Sequence, residues 1–208
     1  MWYDLFSLVY DRALEDLYAP FRPAAVDALR LSPGASVLDL PCGTGQSLDL
    51  LAPAVGPSGS VLGVDASAGM LRQARRRVER AGWGHVALRQ ARAAAVDADV
   101  LDEGLGQCEV DGVLCALGLT ALPEWEATFD RLFALLRPGG RFVLFDVYAP
   151  ERTRQTRAVE WVARADLARR AWHPLARRCR DAERRVQPAD PATFGGELYV
   201  AAGTKEAA

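Results

Sequence analysis

The stretch Ala35–Ser47 constrains this chain more than any other. Val37, Leu38 and Leu40 form a short apolar run, bounded by Pro33-Gly34 before it and Gly43-Thr44-Gly45 after it. Such a run suits a parallel strand covered on both faces. Gly43 and Gly45 allow a tight turn and a close approach of a ligand to the main chain. A helix over about residues 46–54 would then aim its free N–H groups at that ligand. Asp39 falls at the carboxyl end of the strand, where open α/β sheets bind their ligands.

The ligand is narrowed by what the turn lacks. A dinucleotide fingerprint requires G-x-G-x-x-G, and Leu48 stands where the third glycine would be. A P-loop requires a lysine, and the segment has none. An acid ahead of the glycines repels a pyrophosphate and suits a cation. Val37 to Gly45 resembles motif I of the class I S-adenosylmethionine-dependent methyltransferases, whose cofactor carries an ammonium and a sulfonium but no phosphate.

That resemblance implies an α/β fold: a Rossmann-like, seven-stranded, mostly parallel sheet with helices on both faces and the last strand antiparallel. It covers residues 31–149 well and the termini loosely. One methyltransferase domain is expected over residues 1–208. Its parts are a helical lid (1–33), a cofactor-binding core (34–150), an Arg-rich substrate-side region (151–190) and a closing strand (191–208).

The chain's 208 residues, half of them apolar, suffice for one domain burying ~70% of its unfolded surface. A net charge of −2 gives no bulk attraction to nucleic acid. No apolar run reaches the ~18 residues of a membrane span, and the N-terminus lacks the basic start of a signal peptide. Cys42, Cys108, Cys115 and Cys179 form no C-x-x-C pair, and His85 and His173 stand alone, so no metal site is expected. Free thiols point to a reducing cytoplasm. The basic residues are arginines except for Lys205.

In the first 33 residues Trp2, Tyr3, Phe6 and Tyr10 recur at helical spacing. Two helices covering the sheet would explain them. The Tyr3-Asp4 and Tyr10-Asp11 pairs also match the family's lid, which implies Tyr10 over the cofactor and Tyr3 in the substrate pocket. The strand 60–65 ends in Asp65, 20 residues past Gly45, where a carboxylate can take both hydroxyls of a ribose. Ser67 is an expected N-cap for a helix over 68–81. The resemblance implies that Ala66 and Met70 lie on the adenine, although Met70 also suits an ordinary core position.

The third strand, 85–90, is followed by Ala91-Arg92-Ala93 where the family has an acid that accepts the adenine amino group. A guanidinium cannot accept a hydrogen bond. Arg92 and Ala93 therefore border an adenine held by backbone and apolar contacts alone, or Asp97 or Asp99 substitutes for the missing acid. Residues 97–103 read as a solvated acidic loop. A fourth strand, 110–116, should end with Ala116, Leu117 and Leu119 beside the transferred methyl group and its acceptor. The spacing of Trp125, Phe129, Leu132, Phe133 and Leu136 predicts a helix. Leu136-Arg137-Pro138-Gly139-Gly140 before the apolar strand 141–146 resembles the family's entry into its fifth strand.

Residues 151–185 hold eleven arginines against five acids. A helix is expected over 154–172, ended by Pro174. Its basic face is either simply solvated or meets an anionic substrate or an anionic membrane. The strand 197–203 closes the chain.

The expected activity is in-line methyl transfer from S-adenosyl-L-methionine to a small molecule or lipid, as in quinone-biosynthesis and phospholipid N-methyltransferases. Positioning of donor and acceptor can supply ~7–11 kcal/mol of such a barrier. The resemblance implies cofactor contacts from Asp39, through the loop it orders, and from Pro41, Cys42, Gly43, Thr44, Gly45 and Asp65. Asp146, Tyr148 and His173 are the candidate bases. Three rivals stay open: a nicotinamide-dependent oxidoreductase, a non-catalytic S-adenosylmethionine-binding or scaffold protein, and a nucleic-acid methyltransferase. The last lacks both of its usual nucleophile and base-binding motifs, since Cys42 sits inside the cofactor turn.

Overall fold

The computed structural model describes residues 17–207. The lid candidates Tyr3 and Tyr10 lie outside them.

Seven strands form one sheet in the order β3-β2-β1-β4-β5-β7-β6. They are β1 (Ser36–Asp39), β2 (Ser60–Asp65), β3 (Val86–Gln90), β4 (Val110–Ala116), β5 (Leu136–Tyr148), β6 (Glu183–Val186) and β7 (Glu197–Thr204). The first five run parallel, and β7 lies antiparallel between β5 and β6. All four residues of β1 are buried, as a central strand with neighbours on both edges requires. Alternation along the strands divides the core into two layers. Val37, Val61, Leu114, Val143 and Phe145 face one side, with Leu38, Leu62, Val113, Phe142 and Leu144 on the other.

The helices are α1 (Arg22–Ala28), α2 (Leu48–Val55), α3 (Ala68–Ala81), α4 (Ala98–Leu105), α5 (Trp125–Ala134), α6 (Arg154–Ala163), α7 (His173–Arg178) and α8 (Pro191–Phe194). In α3 the Ser67 hydroxyl accepts the Met70 N–H, and Gly82 ends the helix at φ 68°. Among the described residues no helix is long and apolar enough to cross a membrane.

Four segments depart from the sequence expectation. The helix after the Gly-rich turn starts at Leu48, because Gly43 and Gly45 adopt φ 55° and 83° and the Leu48 N–H closes a turn on the Gly45 carbonyl. The acidic segment is not a loop but α4: Asp97 caps it through the Val100 N–H, and Leu101 is buried in the core. Acids in its first turn also suit the helix dipole. Leu136 belongs to β5, opposite Val110, and not to the preceding helix. The long helix over 154–172 breaks at Arg164, whose φ is 49°, and the Glu160 side chain then accepts the Leu167 N–H. Pro174 opens α7 instead of ending a helix, because a proline in the first turn forfeits no helical bond.

Candidate active site

The sheet reverses its strand order between β1 and β4, and a cavity of about 600 Å³ opens at the carboxyl ends of β2, β1, β4 and β5. Gly43, Thr44 and Gln46 form its turn end, with Pro41 and Cys42 beneath. Asp65, Ala66, Ser67 and Met70 make the adjoining wall. Ala116, Leu117, Thr120 and Asp146 make the far floor, and α6 covers it with Ala158, Val159, Val162 and Ala163.

The turn is held by Asp65. Its Oδ2 accepts the Gly43 N–H at 2.9 Å and its Oδ1 the Ser67 N–H at 2.8 Å. A Cβ on Gly45 would come within 2.9 Å of Leu48 and 3.2 Å of Ala74, whereas one on Gly43 would meet nothing within 4 Å. One glycine thus seats the turn on α3, and the other leaves room above it. Behind, Gly118 fits against Pro41, whose Cδ would lie 2.3 Å from an added Cβ.

Asp39 is fully buried, and neither carboxylate oxygen has a hydrogen-bond partner among the described residues. Among the described residues it therefore makes no hydrogen bond to the turn. Burial pushes its pKa up to about 7, against the lowering effect of Arg22; Asp65 adds to the rise. Arg22 lines the cavity and donates to the Ser47 hydroxyl at 3.0 Å. Burial also raises the Cys42 thiol well above its usual range, which leaves it no nucleophile.

At the other end Asp146 is buried and accepts the Thr120 hydroxyl at 2.9 Å and the Val147 N–H at 2.9 Å. Burial raises its pKa to about 6; the bonds from Val147 and Thr120 and the charge of Arg169 oppose the rise. The Arg169 guanidinium donates to the Leu119 and Leu122 carbonyls at 2.8 and 2.6 Å, which pins the loop carrying Thr120.

The structure brings Pro41, Cys42, Gly43, Thr44, Asp65, Ala66, Met70, Ala93, Ala116, Leu117 and Asp146 to one cavity. Among the described candidates, it does not bring the others there. Arg92 is exposed, and Ala91 and Ala93 flank it toward the cavity, so the missing acid is not replaced by a guanidinium. Asp97 and Asp99 belong to the exposed start of α4 and do not line the cavity either. Leu119 turns fully into the core layer of Leu101 and Phe129, and Gly45 lies behind the turn. Tyr148 joins an aromatic cluster, edge-on to Trp172 at 4.8 Å, and accepts the Arg170 side chain at 3.2 Å. His173 is exposed at the first turn of α7. Neither is part of the cavity wall.

Sequence reasoning missed Thr120 and Arg22, and it placed the α6 segment on the substrate side without naming the face that lines the cavity. The apolar spacing of Ala158, Val159, Val162 and Ala163 was a signal for that face. Thr120 and Arg22 carried none, since their place depends on strands and helices far away in the chain.

The Arg-rich region is mostly tied into the fold. Arg184 lies 4.4 Å from the Trp172 ring centroid and 4.8 Å from that of Tyr199, and Arg178 pairs with Asp130 at 2.8 Å. Arg152 pairs with Glu160 and Asp166.

A topology, a turn and a cavity of this kind define a nucleotide-like ligand site of the Rossmann type. The methyltransferase domain family matches residues 37–140, and the chain belongs to that family. It is 37% identical over 142 residues to an uncharacterized 37.1 kDa protein in a transposon of Streptomyces fradiae, covering 68% of this chain and 38% of that one. It is 27% identical over 134 residues to the demethylmenaquinone methyltransferase of Listeria welshimeri, covering 64% of this chain and 54% of the relative. The chain thus spans about half or less of these relatives. A solved S-adenosylmethionine-dependent O-methyltransferase from Thermotoga maritima superposes with a TM-score of 0.57 at 18% identity, over 90% of this chain and 65% of that one. It shares the fold.

The residues present fit S-adenosylmethionine, the family's cofactor. Asp65, on the cavity wall, is the carboxylate that would take ribose hydroxyls. Met70, Ala91 and Ala93 provide an apolar slot for a base. Arg22 offers a cation for a carboxylate.

Proposed function

We propose that this protein transfers a methyl group from S-adenosylmethionine to a small apolar molecule or a lipid. When bound, the cofactor supplies a methyl group on a sulfonium, which makes a good leaving group. The chain's own residues hold donor and acceptor in line and exclude water. The observation that carries this reading is the continuity of the cavity. One end presents Asp65 and the Gly-rich turn; the other is walled by Val159, Val162, Ala163, Leu167 and Phe194 around a floor that carries Thr120 and Asp146. Likeness to a demethylmenaquinone methyltransferase supports an acceptor of the same apolar kind.

The test is incorporation of labelled methyl from S-adenosylmethionine into a lysate, followed by separation into lipid, small-molecule, protein and nucleic-acid fractions. Label in the lipid or small-molecule fraction is expected. Tight binding of S-adenosylmethionine with no label anywhere would favour a non-catalytic binding role.

A membrane-borne acceptor is favoured by the outer face of α6. Arg154, Arg157, Trp161 and Arg164 follow one another along it, all exposed, with Trp161 71% accessible. An indole among cations suits the interface of an anionic bilayer. Salt-sensitive flotation with phosphatidylglycerol vesicles, lost in Trp161→Glu, is the expected result; equal flotation with neutral vesicles would argue against the contact.

A further inference from the structure

The far end of the cavity holds a buried carboxylate that cofactor binding does not use. Asp65 ends β2 and Asp146 lies two residues before the end of β5, their strands three spacings or about 14 Å apart across the sheet. Asp146 thus sits where an acceptor would lie, and Thr120 lies beside it on the same wall. Its Oδ1 takes the Thr120 hydroxyl and the Val147 N–H, while Oδ2 has one long contact, the Thr120 N–H at 3.4 Å.

The loop carrying Thr120 is fixed from several sides. Leu117 sits at φ 54°, a left-handed conformation unfavourable for a leucine. It is held by its N–H on the Phe145 carbonyl at 2.7 Å. The Asp166 N–H donates to the Thr120 carbonyl at 2.9 Å, and Arg169 caps the carbonyls on either side. A side chain held this firmly on a cavity wall is a mark of function.

We propose that Thr120 and Asp146 form a proton relay that deprotonates an aromatic hydroxyl of the methyl acceptor. The acceptor's O–H proton passes to Thr120 Oγ1 while Thr120's own proton passes to Asp146 Oδ1. The electron pair freed on the oxygen forms the O–C bond to the methyl carbon, and the carbon–sulfur pair stays on sulfur. The proton on Asp146 is later lost to solvent. This rests on the methyltransferase reading and names its acceptor class. An aliphatic alcohol is too weak an acid for a carboxylate to ionise. A phenol-type hydroxyl is within reach of a carboxylate whose pKa burial has raised to about 6, because general bases work best near the operating pH. The charged and titratable groups facing Asp146 are Arg169 from the segment before α7, Cys115 on β4 and Tyr199 on β7. Both Cys115 and Tyr199 are raised by burial and stay neutral in this range, so the relay titrates as one group.

The experiment uses two matched probes, 2-naphthol and 2-naphthalenethiol. At pH 8 the thiol is the readier to ionise, as thiols lose their proton at lower pH than phenols. Wild-type kcat/KM for 2-naphthol should rise with pH through about 6. Asp146→Asn and Thr120→Val should each lower it about 100-fold. Thr120→Ser should restore it to within about fivefold of wild type, and 2-naphthalenethiol should lose less than about fivefold in every variant. Calorimetric binding of S-adenosylhomocysteine should stay within about threefold throughout. Equal losses on both probes would mark a structural role and overturn the relay. So would loss in Asp146→Asn without loss in Thr120→Val, or no turnover of 2-naphthol by a protein that binds S-adenosylhomocysteine. Absence of S-adenosylhomocysteine binding by the wild type would instead overturn the parent reading of a methyltransferase.

Discussion

The Asp65 carboxylate accepts the Gly43 N–H at 2.9 Å, so a side chain at the end of β2 holds the turn that follows β1. The same group reaches the Ser67 N–H at the start of α3. One acid thus fixes two main-chain segments of the cavity wall. Hydrogen bonds to a charged group contribute about 1.5–3 kcal/mol each. Asp65→Ala should lower unfolding free energy by at least about 2 kcal/mol and weaken S-adenosylhomocysteine binding at least about 30-fold. Urea unfolding and calorimetry read the two effects separately.

Asp39 should make stability depend on pH. Its native pKa of about 7 lies above the 3.8 of an ordinary aspartate, so the native state binds more protons than the unfolded state between those values. Stability attributable to Asp39 is therefore highest below about pH 4 and falls as pH rises to about 7. Asp39→Asn removes that slope. The variant should be as stable as wild type at pH 4 and more stable at pH 8, by a few kcal/mol at most, while losing cofactor affinity. Urea midpoints at the two pH values check the sign; a variant less stable at pH 8 would contradict it.

Gly45 has no room for a side chain. Its φ is 83°, and an added Cβ would press on Leu48 at 2.9 Å and on the Ala74 backbone at 3.3 Å. Gly45→Ala should cost about 2–4 kcal/mol, combining left-handed strain with overpacking. Gly82→Ala has a similar φ of 68° but open space, and should cost only about 1 kcal/mol. Parallel urea curves compare them.

The inner face of α6 should set acceptor size without touching the cofactor end. Ala158→Trp narrows the covered part of the cavity. We expect the acceptor KM to rise about tenfold, equivalent to about 1.4 kcal/mol, with S-adenosylhomocysteine affinity within about twofold of wild type. Steady-state kinetics and calorimetry on the same preparation decide it.

The sequence by itself determined the local pieces: β1 and its Gly-rich turn, the 68–81 helix with its Ser67 cap, and the strand after Pro138-Gly139-Gly140. Each follows from short-range rules of apolar patterning, backbone freedom and capping. The acids Asp39 and Asp65 were legible as strand-end residues for the same reason. Only the tertiary structure decided what those acids do. That Asp65, and not Asp39, holds the turn depends on β2 lying beside β1 in register. The expected helix over 154–172 ends at Arg164, which turns left-handed, and the Glu160 side chain then accepts the Leu167 N–H, a tertiary contact no helical pattern records. Thr120, Asp146 and Arg169 come from three segments far apart in the chain. Sheet order and burial bring them together, and burial raises the Asp146 pKa; residue spacing holds no trace of either.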